Sequence, residues 1–269
     1  RGLVGSEMCI RDSILLSAHQ QFSPSYLRVN SRCVVPTLVI DGKVTTDTIN
    51  ILDLLAARFG AANQRFETSA VERALVNYWV DKAAGLFIEA LTYGHVEGVK
   101  KPFPIGNASD SGRSHQDKVD LLTGLIETYK NDPTLKAAYE KKRAVIEATK
   151  KAMVAPGQMS AIVDATKVEL EDLAHQLASG QFADGGWLAS DAFSLADVQW
   201  GAVLYRLQWV GLQPLLWEKG SIISAYAEKL FAKASFQTGV VQWSRVGRKV
   251  VLPTIRYKLL EAFGFRPDI

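Results

Sequence analysis

The sequence predicts an α+β fold in two unequal parts, a short mixed unit of strands and helix followed by a long helical one. Three observations carry this. Cys33 to Ile40 is mostly apolar and β-branched, and Asp41-Gly42 behind it is a two-residue hairpin signal. The apolar spacing then turns helical, with Ile49, Leu52, Leu55 and Ala56 on one face of 48–59. Beyond a polar linker at 61–68, every long periodic segment is helical.

Composition bounds the rest. The chain has 269 residues, 48% apolar and 22% charged, an ordinary globular balance that excludes general disorder. Lys+Arg is 31 against 28 for Asp+Glu, a net charge of +3, which leaves no global electrostatic footprint for nucleic acid. Two cysteines cannot build a disulfide framework, and no Cys/His cluster has zinc spacing. A reduced compartment, hence the cytoplasm, and a metal-free fold are therefore expected. No apolar run approaches the roughly 20 residues that cross a bilayer.

The elements run in order along the chain. Residues 1–13 start at Arg1 and have no period that continues into Ile14 and beyond. They resemble a translated adapter sequence and are set aside as an artefactual or disordered leader, a frayed natural arm being the alternative. Cys9 falls within them and is assigned no chemistry. Ser23-Pro24 opens a helical turn with Tyr26 and Leu27 as its apolar face. A strand over 33–40, the Asp41-Gly42 turn and a return strand over 43–46 come next. Pro36 within the first strand cannot donate a ladder hydrogen bond; an edge position, a bulge or a cis peptide bond each accommodate it. Gly60 stops the helix over 48–59.

Helices are expected at 69–93, 113–130, 134–153, 160–178, 194–210 and 222–234, with a loop over 100–112. Ser194 is a good N-cap, and Asp197 three residues on can reach back as in a capping box, with Phe193 and Val198 as a hydrophobic staple. The domain scheme is 14–60, linker 61–68, a helical domain at 69–240 and a tail at 241–269. In the tail, Arg245, Arg248, Lys249, Arg256, Lys258 and Arg266 interleave with apolar residues. Such a segment either contacts an anionic membrane surface, giving a peripheral-membrane alternative, or packs on its own domain; Pro253 interrupts it. The sequence has no phosphate-cradling glycine loop, nucleophile elbow or paired histidines on a helix, and Gly185-Gly186-Trp187 reads as a turn.

Two segments carry a family resemblance. Asn30-Ser31-Arg32-Cys33-Val34-Val35-Pro36-Thr37-Leu38-Val39, followed by Asp41-Gly42-Lys43-Val44-Thr45-Thr46-Asp47-Thr48, resembles the second half of the thioredoxin-like domain of glutathione transferases. Phe193-Ser194-Leu195-Ala196-Asp197-Val198 resembles the capping motif that opens a core helix in the same family's C-terminal domain. With Leu91-Thr92-Tyr93-Gly94-His95 and Tyr205-Arg206-Leu207, the chain is similar to the tetrachlorohydroquinone dehalogenase-like class over about Ile14 to Phe236.

The resemblance implies a truncated thioredoxin-like domain followed by an all-α glutathione transferase domain, glutathione as cosubstrate and a homodimer. It implies that Val35, before a cis-Pro36, pairs its main chain with the cysteinyl part of glutathione. Asp47 and Thr48 match the acid-hydroxyl pair that holds the γ-glutamyl end, with Asp-Thr standing where Glu-Ser is usual; the bland reading is a simple helix cap. It implies thiolate attack on an electrophilic carbon, on a halogenated aromatic or quinoid substrate. The thiol-activating Ser, Cys or Tyr belongs on a first helix that falls before Ile14, so the chain is expected to lack it and to be inactive as given. Cys33 reads as a small buried hydrophobe, Trp79 as core, and Arg32 as either a carboxylate contact or a solvated loop residue. Tyr93 and His95 are candidates for the second-substrate pocket. The alternative function is a non-catalytic binding protein or a membrane-associated regulatory protein of the same fold.

Overall fold

A computed structural model describes residues 14–59, 70–102 and 112–242. The leader, the linker and the basic tail beyond Gln242 lie outside the described residues, as do the expectations placed on them.

The N-terminal unit is built as its sequence demands. After two 3₁₀ turns, Leu16–Ala18 and Gln20–Phe22, helix α1 (Pro24–Val29) starts on Ser23, whose hydroxyl accepts the Tyr26 N–H at 3.3 Å. Strands β1 (Thr37–Ile40) and β2 (Lys43–Thr46) pair antiparallel, Ile40 opposite Lys43. Asp41 and Gly42 between them both have positive φ, 52° and 73°, as a twist-matched two-residue hairpin requires. Helix α2 (Thr48–Phe59) follows at once. The first strand is shorter than expected, starting at Thr37 and not at Cys33. Cys33 has φ 52°, and the Val35–Pro36 peptide is cis, so the ladder forms only past the proline.

The helical unit comprises α3 (Ala70–Gly85), α4 (Ile88–Tyr93), α5 (Arg113–Thr128), α6 (Pro133–Val154), α7 (Gln158–Ser179), α8 (Leu195–Trp209), the one-turn α9 (Gln213–Leu216), α10 (Ile222–Phe231) and the short α11 (Ala234–Phe236). The helix expected over 69–93 is two helices. Gly85 ends the first, and Phe87, at φ −78° and ψ 62°, turns the chain into the second. Asp132 opens α6 by accepting the Thr134 and Leu135 N–H groups at 3.1 and 3.0 Å, with Pro133 in the first turn.

Helices α3, α7, α8 and α10 enclose the main core around Trp200, which is fully buried and donates its indole N–H to the Trp79 carbonyl at 3.0 Å. Trp79 is core, as the sequence suggests, with 3% of its surface exposed. Leu170, Leu173 and Leu177 of α7 and Leu204 and Leu207 of α8 fill the interior. Each contributes roughly 1.5–3 kcal/mol by leaving water.

Asp197 orders one end of this core. Its buried carboxylate accepts four hydrogen bonds: from the Ser194 N–H and hydroxyl, both 2.8 Å, from the Leu188 N–H at 3.1 Å and from the Tyr226 hydroxyl at 2.7 Å. The expected capping box is therefore present. It is also a cross-link, tying the turn before α8 and helix α10 to the start of α8. Burial and the neighbouring carboxylate push the Tyr226 phenol well above its ordinary pKa, so Tyr226 remains the donor.

A second core joins the two units. Phe22, Leu27 and Cys33 pack against Val119, Leu122, Leu135, Tyr139 and Ile146 of α5 and α6. The Tyr139 hydroxyl donates to the Phe22 carbonyl at 2.8 Å inside it. Among the described residues no helix is long and apolar enough to cross a membrane.

The network around Asp197 gives a graded expectation. Asp197→Ala leaves four donors without an acceptor in a dry core, a loss on the order of 3 kcal/mol or more. Tyr226→Phe removes one donor and leaves the carboxylate three, a loss of about 1 kcal/mol. Urea midpoints at constant slope measure both; similar losses for the two variants would contradict the cross-link.

Candidate functional site

The loop before Pro36 is held from beneath by Tyr26 and Asn30. The Val34 carbonyl accepts the Tyr26 hydroxyl at 2.6 Å and the Asn30 amide at 2.7 Å. The same Asn30 amide donates to the Thr37 hydroxyl at 2.9 Å. Thr37 Oγ1 also lies 2.8 Å from the Tyr26 oxygen. Since the Tyr26 proton is committed to Val34, Thr37 donates in that contact. Asn30 Oδ1 accepts the Arg32 N–H and the Asn30 carbonyl accepts the Cys33 N–H, both at 3.0 Å. Tyr26 and Asn30 are themselves buried, which shields these bonds in part from competing water.

Val35 is left outside this clamp. Among the described residues its N–H and C=O make no main-chain hydrogen bond. It is 39% exposed and joins Pro36 across the cis peptide. An exposed main-chain edge with an unused donor and acceptor is a template for an extended peptide.

Asp47 stands at the neighbouring corner, where β2 passes into α2, with φ 78°, a conformation that Asp tolerates better than most residues. Its Oδ1 accepts the Ile49 N–H at 3.2 Å and its carbonyl the Ile51 N–H at 3.0 Å, so it caps α2, and Thr48 is the first helical residue. Its Oδ2 pairs with Arg32 at 3.3 Å. Arg32 is thus neither a free loop cation nor buried. The pair is half-exposed and contributes at most about 1 kcal/mol, so a ligand can compete for it at little cost. The site offers a free main-chain edge, a carboxylate and a helix N-terminus side by side, a match for a zwitterionic peptide.

Cys33, two residues before Val35, is 1% exposed and lies in the second core. Burial pushes its thiol up to about 11, only partly opposed by the Lys142 ammonium. It is a packing residue, as its sequence position suggests.

The structure places the two pocket candidates apart. Tyr93, the last residue of α4, is 40% exposed, with its ring edge-on to His115 at 6.0 Å and the Lys118 ammonium 5.7 Å from its centroid. His115 is fully buried, and its Nε2 meets Glu89 at 3.2 Å. This contact holds the Glu89 carboxyl below its usual range. His95 instead lines a recess of about 560 Å³ with Met153, Met159, Val163, Lys167 and Leu215.

Lys101 fixes the end of α4 between them, donating to the Leu91, Thr92 and Gly94 carbonyls at 2.6, 2.8 and 2.5 Å. A cation at a helix C-terminus is well placed against the dipole. Burial lowers this ammonium to about 8, while three carbonyl acceptors favour its charged form. Gly94 is required here because a Cβ would sit 2.6 Å from the Ala90 carbonyl.

Sequence reasoning missed Tyr26 and Asn30 as the residues that hold the Val34 carbonyl. Only Tyr26 carried a signal, as a tyrosine on an apolar face whose hydroxyl needs a partner.

No family model matches the chain. It is 28% identical over 226 residues to the tetrachloro-p-hydroquinone reductive dehalogenase of Sphingobium chlorophenolicum, which covers 83% of the chain and 82% of that protein. It is 32% identical over 132 residues to a 2,5-dichlorohydroquinone reductive dechlorinase of Sphingobium indicum, across 48% of the chain and 37% of that relative. Among solved structures it resembles a beta-etherase from Sphingobium sp. strain SYK-6, with a TM-score of 0.60 at 17% identity over 85% of the chain and 86% of the other. It also resembles an epsilon-class glutathione S-transferase of the housefly, Musca domestica, with a TM-score of 0.52 at 16% identity over 90% and 84%. These likenesses span both the hairpin unit and the helical unit: in fold the chain is similar to the beta-etherase and to the epsilon-class glutathione S-transferase, and in sequence to the two reductive dehalogenases.

Proposed function

We propose that the chain binds glutathione along Val35 and Pro36, with Asp47 and Thr48 at the γ-glutamyl end, and directs its thiolate at an electrophilic carbon of a halogenated aromatic or quinoid substrate. The observation that carries this reading is the unused main chain of Val35, held in place by the Tyr26–Asn30 clamp and set beside the start of α2. In this reading the Val35 N–H and C=O exchange hydrogen bonds with the cysteinyl unit. Asp47 accepts from the γ-glutamyl ammonium, and the first N–H groups of α2 donate to its carboxylate.

In the transfer step a carbon–sulfur bond forms and the carbon–halogen bond breaks. The halide departs with its electron pair, and the thiol proton has already gone to solvent. Cys33 does not supply the donor that lowers the thiol pKa, because it is buried and protonated at neutral pH. The relatives named as reductive dehalogenases make halide removal the first chemistry to assay.

Asp47→Asn separates binding from capping, because Asn caps a helix as well as Asp but carries no charge. We expect glutathione affinity to fall about tenfold by calorimetry, the scale of one charge-assisted hydrogen bond, with the melting temperature nearly unchanged. Unaltered affinity would reduce Asp47 to a cap and remove the γ-glutamyl site. In a Cys9→Ser background, Cys33 should resist iodoacetamide in the native protein at pH 7.5, react only as the pH approaches 11, and react readily in urea. Fast native labelling would reopen a role for Cys33 as nucleophile.

A further inference from the structure

Gly94 caps the end of α4 and is buried. Its N–H donates to the Ala90 carbonyl at 2.6 Å, and its own carbonyl accepts the Lys101 ammonium at 2.5 Å. On the side where a side chain would project stands Met159 of α7, with Sδ 2.5 Å and Cε 2.7 Å from the place of a Cβ on Gly94. The thioether fills the room that the missing side chain leaves, and so covers the end of α4 from the start of α7.

Met159 also faces solvent. It is half-buried, and with His95 it lines the recess of about 560 Å³, among exposed neighbours such as Ser160, Asp164 and Leu215. Met153 lines the same recess but has only 3% of its surface exposed. The third methionine of the chain, Met8, lies outside the described residues. Two methionines thus share one recess and differ in access, so that one serves as the control for the other.

A thioether is converted reversibly from an apolar to a polar group by a mild oxidant. With hydrogen peroxide, a sulfur lone pair attacks one peroxide oxygen; the sulfur–oxygen bond forms and the oxygen–oxygen bond breaks. The proton on the transferred oxygen passes to the departing hydroxide, which leaves as water. Sulfur loses two electrons and the peroxide gains them. At the Gly94 contact the new oxygen would be an acceptor against a buried residue whose N–H is already engaged by Ala90. The oxidised side chain is hydrated only by turning outward into the recess, and Gly94 then loses its cover.

We propose that Met159 is a reversible oxidation site, at which hydrogen peroxide turns the thioether outward as its sulfoxide and loosens the end of α4. The hydrogen bonds of Gly94 then stand open to water, and Tyr93 and His95 on either side of it gain freedom. No ligand enters this inference, so it is independent of the glutathione reading.

Site-resolved mass spectrometry and hydrogen exchange on the full chain, in a Cys9→Ser background, test it. A short pulse of hydrogen peroxide should oxidise Met159 about tenfold faster than Met153. In the oxidised protein, amide exchange over 91–96 should rise about tenfold while that of α8 stays unchanged. Methionine sulfoxide reductases A and B, which together reduce both epimers, should restore the slow exchange. Met159→Gln, polar and of similar length, should exchange fast without peroxide, and Met159→Leu should exchange slowly before and after it. Circular dichroism verifies the fold of both variants.

Equal oxidation of Met159 and Met153 overturns the proposal, as does unchanged exchange over 91–96 in the oxidised parent or in Met159→Gln. Faster exchange in peroxide-treated Met159→Leu also overturns it, by placing the sensitive group elsewhere. An equal rise in α8 marks general loosening and overturns it too, and exchange that stays fast after both reductases removes the reversibility.

Discussion

Two side-chain donors converge on the carbonyl of Val34, and the candidate site depends on that convergence. Tyr26 lies within one short helix and Asn30 caps its end, and both are buried, so their bonds to this oxygen are partly shielded from water. The same two residues hold Thr37 at the first position of β1. The main chain is therefore fixed on both sides of Val35 and Pro36 while Val35 itself stays open. An edge prepared in this way can take a peptide without ordering its own loop at the moment of binding, which is where much binding energy is otherwise lost.

The helical unit solves the same kind of problem with a charge. Asp197 collects donors from the turn ahead of α8, from its own N-cap and from α10. A buried carboxylate is costly unless its lone pairs are occupied, and here four donors occupy them. Around it the Trp200 side chain joins α8 to α3 through the Trp79 carbonyl. The first helix of the unit is thereby set, and with it α4, which carries Glu89 and Tyr93.

Local chemistry made part of this legible in the sequence. Asp41-Gly42 announces its turn because both residues must take positive φ, and Ser194 with Asp197 announces a helix start because the residue types and their spacing are those of a cap. Helix α2 falls where its apolar period places it. The start of β1 did not, because a strand pattern runs through Cys33 to Pro36 while the backbone there turns to serve Tyr26 and Asn30. The break at Gly85 was hidden within a continuous helical period. Partners distant in sequence were beyond local reasoning: Tyr226 is 29 residues from Asp197, and Tyr139 is 117 from Phe22. Lys118 and Lys142 read as ordinary solvated lysines on amphipathic helices. The packing of α5 against α6 brings both within electrostatic reach of Glu89, a relation that no local pattern announces.

The second core has a mechanical implication. Phe22, Leu27 and Cys33 share one interior with α5 and α6, and the Tyr139–Phe22 bond lies inside it. Among the described residues the N-terminal unit and helices α5 and α6 thus meet across an apolar core, and swinging them apart would tear it open instead of sliding a wet interface. Changes to Tyr139 or Leu122, neither of which touches Val35 or Asp47, would therefore reach the loop before Pro36 through Phe22, Leu27 and Cys33.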